Sequence, residues 1–230
     1  MKKGMYYLTA VLTMVLVSAA MAEATVITSL PYTITKRGYY TINSNLKSAR
    51  NGIVVNADNV TIDLKGYTIS GSGTGNYFGI YMNGRSNVEI RNGTVRDFVN
   101  GIYEDSADGN SHRVINVRVF ATPDNAIYLK GSNNLIEGCT ASFSAGWGIS
   151  AGDGSLLIGN IASNNGQSGI GAGSGSTVKN NTAFNNQWYG IRLEGYSLID
   201  GNTAYNNNQA GGYSNIQTCE TCTFGTNCAP

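Results

Sequence analysis

The chain has 230 residues, a formal net charge of +1 and only 13% charged side chains. Near-neutrality without a basic stripe argues against a protein held to nucleic acid by charge. Low charge combined with 41% hydrophobic residues argues against disorder, despite the 30 glycines.

The chain opens with MKKGMYYLTAVLTMVLVSAAMA. Lys2 and Lys3 form a positive n-region, Met5 to Val17 a short and mostly apolar run, and Ala20-Met21-Ala22 a small-x-small cleavage site. The run is too short to span a bilayer comfortably, so a secretory signal over 1–22 is expected, with an uncleaved anchor as the alternative. Residues 23–230 then form one domain that is secreted or periplasmic, with no membrane insertion once the signal is cleaved. Within it, 23–50 are assigned to an N-terminal cap and first coil, and 212–230 to a Cys-containing C-terminal cap.

A Gly-Ile dipeptide, once Ala-Ile, recurs with its isoleucine at Ile53, Ile80, Ile102, Ile127, Ile149, Ile170 and Ile191. Subtraction gives spacings of 27, 22, 25, 22, 21 and 21, a period that means a solenoid. Leucine is too sparse for leucine-rich repeats, and these spacings do not suit a hexapeptide helix. Two residues beyond each isoleucine stand Val55, Met82, Glu104, Leu129, Ala151, Ala172 and Leu193, on the same face of a period-2 strand. A second inward row aligns Leu64, Ile90, Val114, Ile136, Leu157, Val178 and Ile199. A third aligns Ile69, Val95, Val119, Ala141, Ala162, Ala183 and Ala204. Three short strands per coil, each with an inward apolar residue, predict an all-β parallel β-helix of about seven to eight coils. The turn before each first strand is tight, and a positive φ there explains the glycine. Asn160, Asn181 and Asn202 repeat in step, as do Asn164, Asn185 and Asn206; both sets are expected to stack as amide ladders.

The third coil carries an insertion, EDSADGNSHR, after its first strand. Inserted loops on a rigid scaffold collect function. Glu104 stands where the other coils are apolar, and Asp105, Asp108, His112 and Arg113 follow. One reading is an acid/base or cation site at this loop, with Arg91 nearby; Asp105 and Asp108 are then the metal candidates. The other is a solvated loop, with Glu104 turned outward by a bulge.

The outward residue between the two inward ones reads Val54, Tyr81, Tyr103, Tyr128, Ser150, Gly171 and Arg192. Tyr81, Tyr103 and Tyr128 make an exposed aromatic row, and Trp147, Trp188 and Tyr189 lie in turns leading into the same strands. The row either stabilises the fold by ring stacking or offers a platform for sugar rings; the binding candidates are Tyr81, Tyr103, Tyr128, Trp147 and Arg192. At the C-terminus, TCETCTFGTNCAP gathers Cys219, Cys222 and Cys228. A disulfide staple of unassigned pairing is expected outside the cytoplasm, and a three-thiolate metal clip is the weaker reading. Cys139 lies several coils away.

The stretches LPYTITKRGYYTINSNL, ADNVTIDLKGYTISGSG and GNTAYNNN resemble the secreted right-handed β-helix repeat proteins of the NosD-like and pectin-lyase-like superfamily, over about Val26 to Tyr213. The resemblance implies the right-handed form of the fold. It implies little about activity, because the fold hosts lyases, hydrolases, epimerases and adhesins. Motifs of the enzymatic members are absent: no Gly-His-Gly or Arg-Ile-Lys of polygalacturonases, and TPDN at Thr122 to Asn125 in place of the epimerase Asp-Pro-His-Glu. Arg91, Arg96, Arg113 and Arg118 lack a recognisable acidic calcium cluster of the pectate-lyase kind.

A non-catalytic module that engages polysaccharide or a cell-surface glycan is therefore the expected function, with no cofactor. The alternatives are a polysaccharide lyase working through Arg91, Glu104, His112 and Arg113, with calcium, and a purely structural or adhesive scaffold. A periplasmic role in metal-protein maturation, which the NosD resemblance also admits, finds no evident copper site.

Overall fold

The structure, a computed structural model, describes residues 24–217 and 219–230; the expected signal segment lies outside them. Within these residues there are strands and turns and no helix. The strands build a 16-stranded and an 8-stranded sheet, and every strand pair is parallel.

The 8-stranded sheet runs Tyr32–Ile34, Ile53–Val55, Phe78–Tyr81, Asn100–Glu104, Ile127–Leu129, Ile149–Ala151, Ile170–Ala172 and Ile191–Leu193. It forms the first wall of the solenoid. The larger sheet folds over a corner to form the second and third walls. Val88–Arg96 and Arg113–Phe120 run continuously through that corner, while other coils break there into two strands. The solenoid has about nine turns. The difference from seven to eight lies at the ends. Thr25–Ile27 starts ahead of the first counted repeat, and the tail adds Ile216, Thr223–Phe224 and Cys228 to the three walls in turn. Residues 23–50 and 212–230 thus contribute paired strands and bridges to the helix.

The isoleucine column is in register from Ile53 to Ile191, and each member is fully buried. The third inward row is also in register throughout. The second row needs a correction: Ile62, not Leu64, pairs with Ile90. Lys65 and Gly66 both take positive φ, at 48° and 83°, and place two more residues before the next strand. Leu64 is still buried, at the corner.

The glycines that open the first strands also act differently from expectation. Gly79, Gly101, Gly148, Gly169 and Gly190 are not among the positive-φ residues. They are small because coils stack closely: a Cβ at Gly101 would lie 2.5 Å from the Ala126 carbonyl oxygen, and one at Gly148 2.6 Å from that of Gly169.

Amide ladders close two of the corners. Asn160, Asn181, Asn202 and Asn227 form one, the side-chain oxygens of the last three accepting from the backbone N–H and the amide of the Asn one coil earlier. The second buried ladder is Asn165, Asn186, Asn207 and Asn215. Asn164, Asn185 and Asn206 instead sit one residue outward with φ of 56°, 55° and 53°, in a looser amide row.

Candidate functional site

Because side chains alternate along a strand, the first wall presents one outward residue per coil, and parallel register stacks them. Tyr81, Tyr103 and Tyr128 pair in register. Their rings stack, with centroids 6.5 Å apart for Tyr81 and Tyr103 and 5.4 Å for Tyr103 and Tyr128. All three tyrosines are half-buried. Burial, followed by the charge of Asp105, pushes Tyr103 up to about 12, and the same causes raise Tyr128. Tyr103 and Tyr128 are therefore neutral near neutral pH.

Phe78 belongs to this row although the sequence reading passed over it. Its ring lies 4.7 Å from Tyr81 and 5.0 Å from Tyr103, stacked on both. Phe78 pairs with Asn100, two residues before the isoleucine column, and Trp147 holds the corresponding place on its own coil. Reading that column as well would have found Phe78 beside Trp147.

Beyond Tyr128 the outer row drops to Ser150 and then Gly171, and rises again at Arg192. The small residues leave a groove of about 260 Å³, with Tyr128 at one end and Arg192 at the other. Trp147 walls one side; Lys130, Asp153 and Glu194 line the opposite side. The Arg192 guanidinium stands 5.9 Å over the Trp147 ring, within cation–π range. Lys130 is paired with Asp105 at 3.3 Å. Tyr128, Trp147 and Arg192 therefore meet at one groove, with Tyr81 and Tyr103 continuing its aromatic end.

The catalytic candidates are not brought together. Glu104 is fully buried and points inward, contrary to the outward bulge considered above. Its carboxylate accepts backbone N–H bonds from Gly84, Ser106 and Gly131, at 3.3, 2.7 and 2.9 Å. It satisfies turn amides of three coils. His112 is buried at the next corner, where its Nδ1 accepts from the Val88 N–H at 3.3 Å. Arg91 and Arg113 lie outside on the second wall, both bonded to Glu89, and Arg91 also to Asp63. Hydrogen bonding to Tyr39, opposed by burial and reinforced by Asp63 and Glu89, raises the Arg91 pKa, the wrong direction for a base. Asp105 is tied to Lys130, and Asp108 is exposed. Among the described residues no group of three or more His, Cys, Asp or Glu is gathered to hold a metal.

In the tail, Cys219 and Cys222 are disulfide-bonded, while Cys228 is free and exposed. Cys139 is free and buried, and burial pushes its thiol up to about 11.

No curated protein sequence matches the chain. Solved structures share its shape at low identity. The A-module of the Azotobacter vinelandii mannuronan C-5 epimerase AlgE4 superposes with a TM-score of 0.67 at 14% identity, covering 88% of this chain and 62% of that one. The pectate lyase Pel9A gives 0.65 at 16%, covering 90% and 66%. The Dettilon tailspike protein gives 0.55 at 16%, covering 73% and 44%. The chain spans less than two thirds of the length of each, and at such identities the likeness is one of fold. The family model described as a right handed beta helix region matches residues 33–170 and 100–229. With parallel walls, stacked coils and this match over most of its length, the chain belongs to the right-handed β-helix family.

Proposed function

We propose that the chain is a non-catalytic polysaccharide-binding module that acts outside the cytoplasm and engages glycan on its first wall. The observation that carries this is the continuity of the stacked Phe78, Tyr81, Tyr103 and Tyr128 rings with the groove between Tyr128 and Arg192. Aromatic faces accept the apolar faces of sugar rings, and Arg192, Lys130, Asp153 and Glu194 supply bonds to hydroxyl or charged substituents. Two structures of similar fold are, by name, a mannuronan epimerase and a pectate lyase, which supports a polysaccharide partner. The burial of Glu104 and His112 and the ion pairing of Arg91 and Arg113 favour binding over catalysis.

A glycan array, run beside an assay for unsaturated products on acidic polysaccharides with and without calcium, tests the proposal. Binding without turnover is expected. Stacking depends on the flat ring and not on the hydroxyl, so Tyr103→Phe should keep most of the affinity. Tyr103→Ala should lose roughly 1 kcal/mol or more. Turnover would transfer the groove to a lyase, and an Ala variant that melts earlier but binds as before would leave the ladder a purely structural one.

A further inference from the structure

A second groove lies on the corner between the third and first walls. It is open and shallow, with a volume of about 380 Å³, and is lined by Phe143, Ala145, Asn164, Gly166, Asn185 and Gln187, together with the buried Ser144 and Asn165. No charged residue lines it.

Phe143 is the anomaly. Each coil places one residue in the left-handed region at this corner: Asp97, Ala121, Phe143, Asn164, Asn185 and Asn206, with φ between 53° and 59°. Asn and Asp tolerate that conformation, and a bulky aromatic does so only at a cost. Burial does not offset the cost, because Phe143 is 66% exposed. A residue both conformationally disfavoured and largely in water contributes little to the fold, and such outliers collect at ligand clamps.

The surroundings fit a ligand rich in hydroxyls. Phe143, Asn164 and Asn185 follow the paired residues Ser142, Ser163 and Phe184, so they stand on successive rungs and span roughly 10 Å. The Asn185 amide reaches Asn164 Oδ1 only at 3.5 Å, and Asn164 and Gln187 both line the groove. Side-chain amides donate and accept at once, as sugar hydroxyls do.

We propose that this corner groove is a second binding site, for an uncharged oligosaccharide, with Phe143 as the stacking platform and Asn164, Asn185 and Gln187 as hydroxyl partners. The site is separate from the first-wall groove and stands without it.

The test is calorimetric titration of cellohexaose, maltohexaose, xylohexaose and mannohexaose, with hexagalacturonate as the charged control, into the full chain and its Phe143→Asn variant. At least one neutral hexasaccharide should bind, and Phe143→Asn should weaken it by about tenfold or more while leaving the melting temperature equal or higher. The Phe143-dependent part of that binding should persist in Tyr103→Ala, and its loss there would overturn the separateness of the two sites. The proposal is overturned if no neutral hexasaccharide binds, or if Phe143→Asn binds as well as wild type. A lower melting temperature for Phe143→Asn would make the ring structural and overturn it too. Equal dependence of hexagalacturonate on Phe143 would overturn the uncharged ligand class.

Discussion

The Trp147 indole lies across Gly171, so close that a Cβ at position 171 would stand 2.5 Å from a ring carbon. Gly171 faces outward between Ser150 and Arg192 in the pairing of the first wall, so the strand itself has room for a methyl group. The ring does not. Gly171→Ala should therefore leave stability within about 1 kcal/mol while lifting the indole away from the groove floor. Tryptophan emission, measured in a Trp188→Phe background, should shift, and affinity for a first-wall glycan should fall. Unchanged emission would mean that the ring is not seated on Gly171.

The isoleucine column supplies a test of the register. Ile149, Ile170 and Ile191 are all fully buried and mutually paired. Each Ile→Ala change removes buried methylenes and leaves a cavity that stacked coils cannot collapse, so each should cost about 2–5 kcal/mol in denaturant unfolding. Near-neutral effects at two of the three would contradict the stacking.

The columns that repeat without interruption were legible in the sequence, because one residue type at one period leaves a single consistent register. Leu64 failed because the Lys65-Gly66 turn changes the count inside one coil. Asn164, Asn185 and Asn206 do stack as expected, but the buried ladder beside them was hidden for another reason. Asn164 and Asn165 are adjacent and chemically identical, as are the pairs one and two coils on, so only the corner geometry tells which amide turns inward. Glu104 was misread because charge at an apolar position suggests exposure; three converging backbone N–H groups supply what water would have given. The catalytic candidates were close in sequence but straddle a corner, and a corner sends neighbours to different surfaces. Phe143 and Phe78 were missed because neither lies in an inward column or in the outward row between them.

The two asparagine rows make opposite predictions. Asn181 Oδ1 accepts from the Asn160 backbone N–H and its amide, and Asn181 Nδ2 donates to the carbonyls of Leu157 and Lys179. Asn181→Ala strands several buried groups, each worth about 1–3 kcal/mol, so a loss of several kcal/mol is expected. Asn181→Asp should be no better, since a carboxylate cannot donate to those carbonyls. Asn185 is outward with φ of 55°, a conformation glycine adopts freely. Asn185→Gly should therefore change stability by less than about 1 kcal/mol. Comparable losses at Asn181 and Asn185, measured by chemical unfolding, would show that the inner and outer assignments are wrong.

His112 sets an acid limit on the fold. Its ring is fully buried, and burial lowers its pKa from the ordinary 6.5 to about 4, against smaller opposing contributions from neighbouring backbone and Asp58. The native state thus keeps a neutral ring, whose Nδ1 accepts from the Val88 N–H. An unfolded chain takes up the proton first as pH falls. Stability from this group is complete above about pH 6.5 and is lost progressively toward pH 4; the gap between the two values corresponds to about 3 kcal/mol. Asp63 acts in the same sense at lower pH. Burial, which would raise its pKa, is outweighed by hydrogen bonds from the Lys65 N–H, Arg91, Tyr39 and Asn92, so it falls below 3.8. A His112→Asn variant separates the two, because Asn offers Val88 an acceptor and does not titrate. Unfolding free energies at pH 7 and pH 4 should show wild type losing about 3 kcal/mol more than the variant over that interval. Parallel losses in both proteins would show that His112 is protonated in the native state or reached by water, and that the acid sensitivity of the solenoid arises elsewhere.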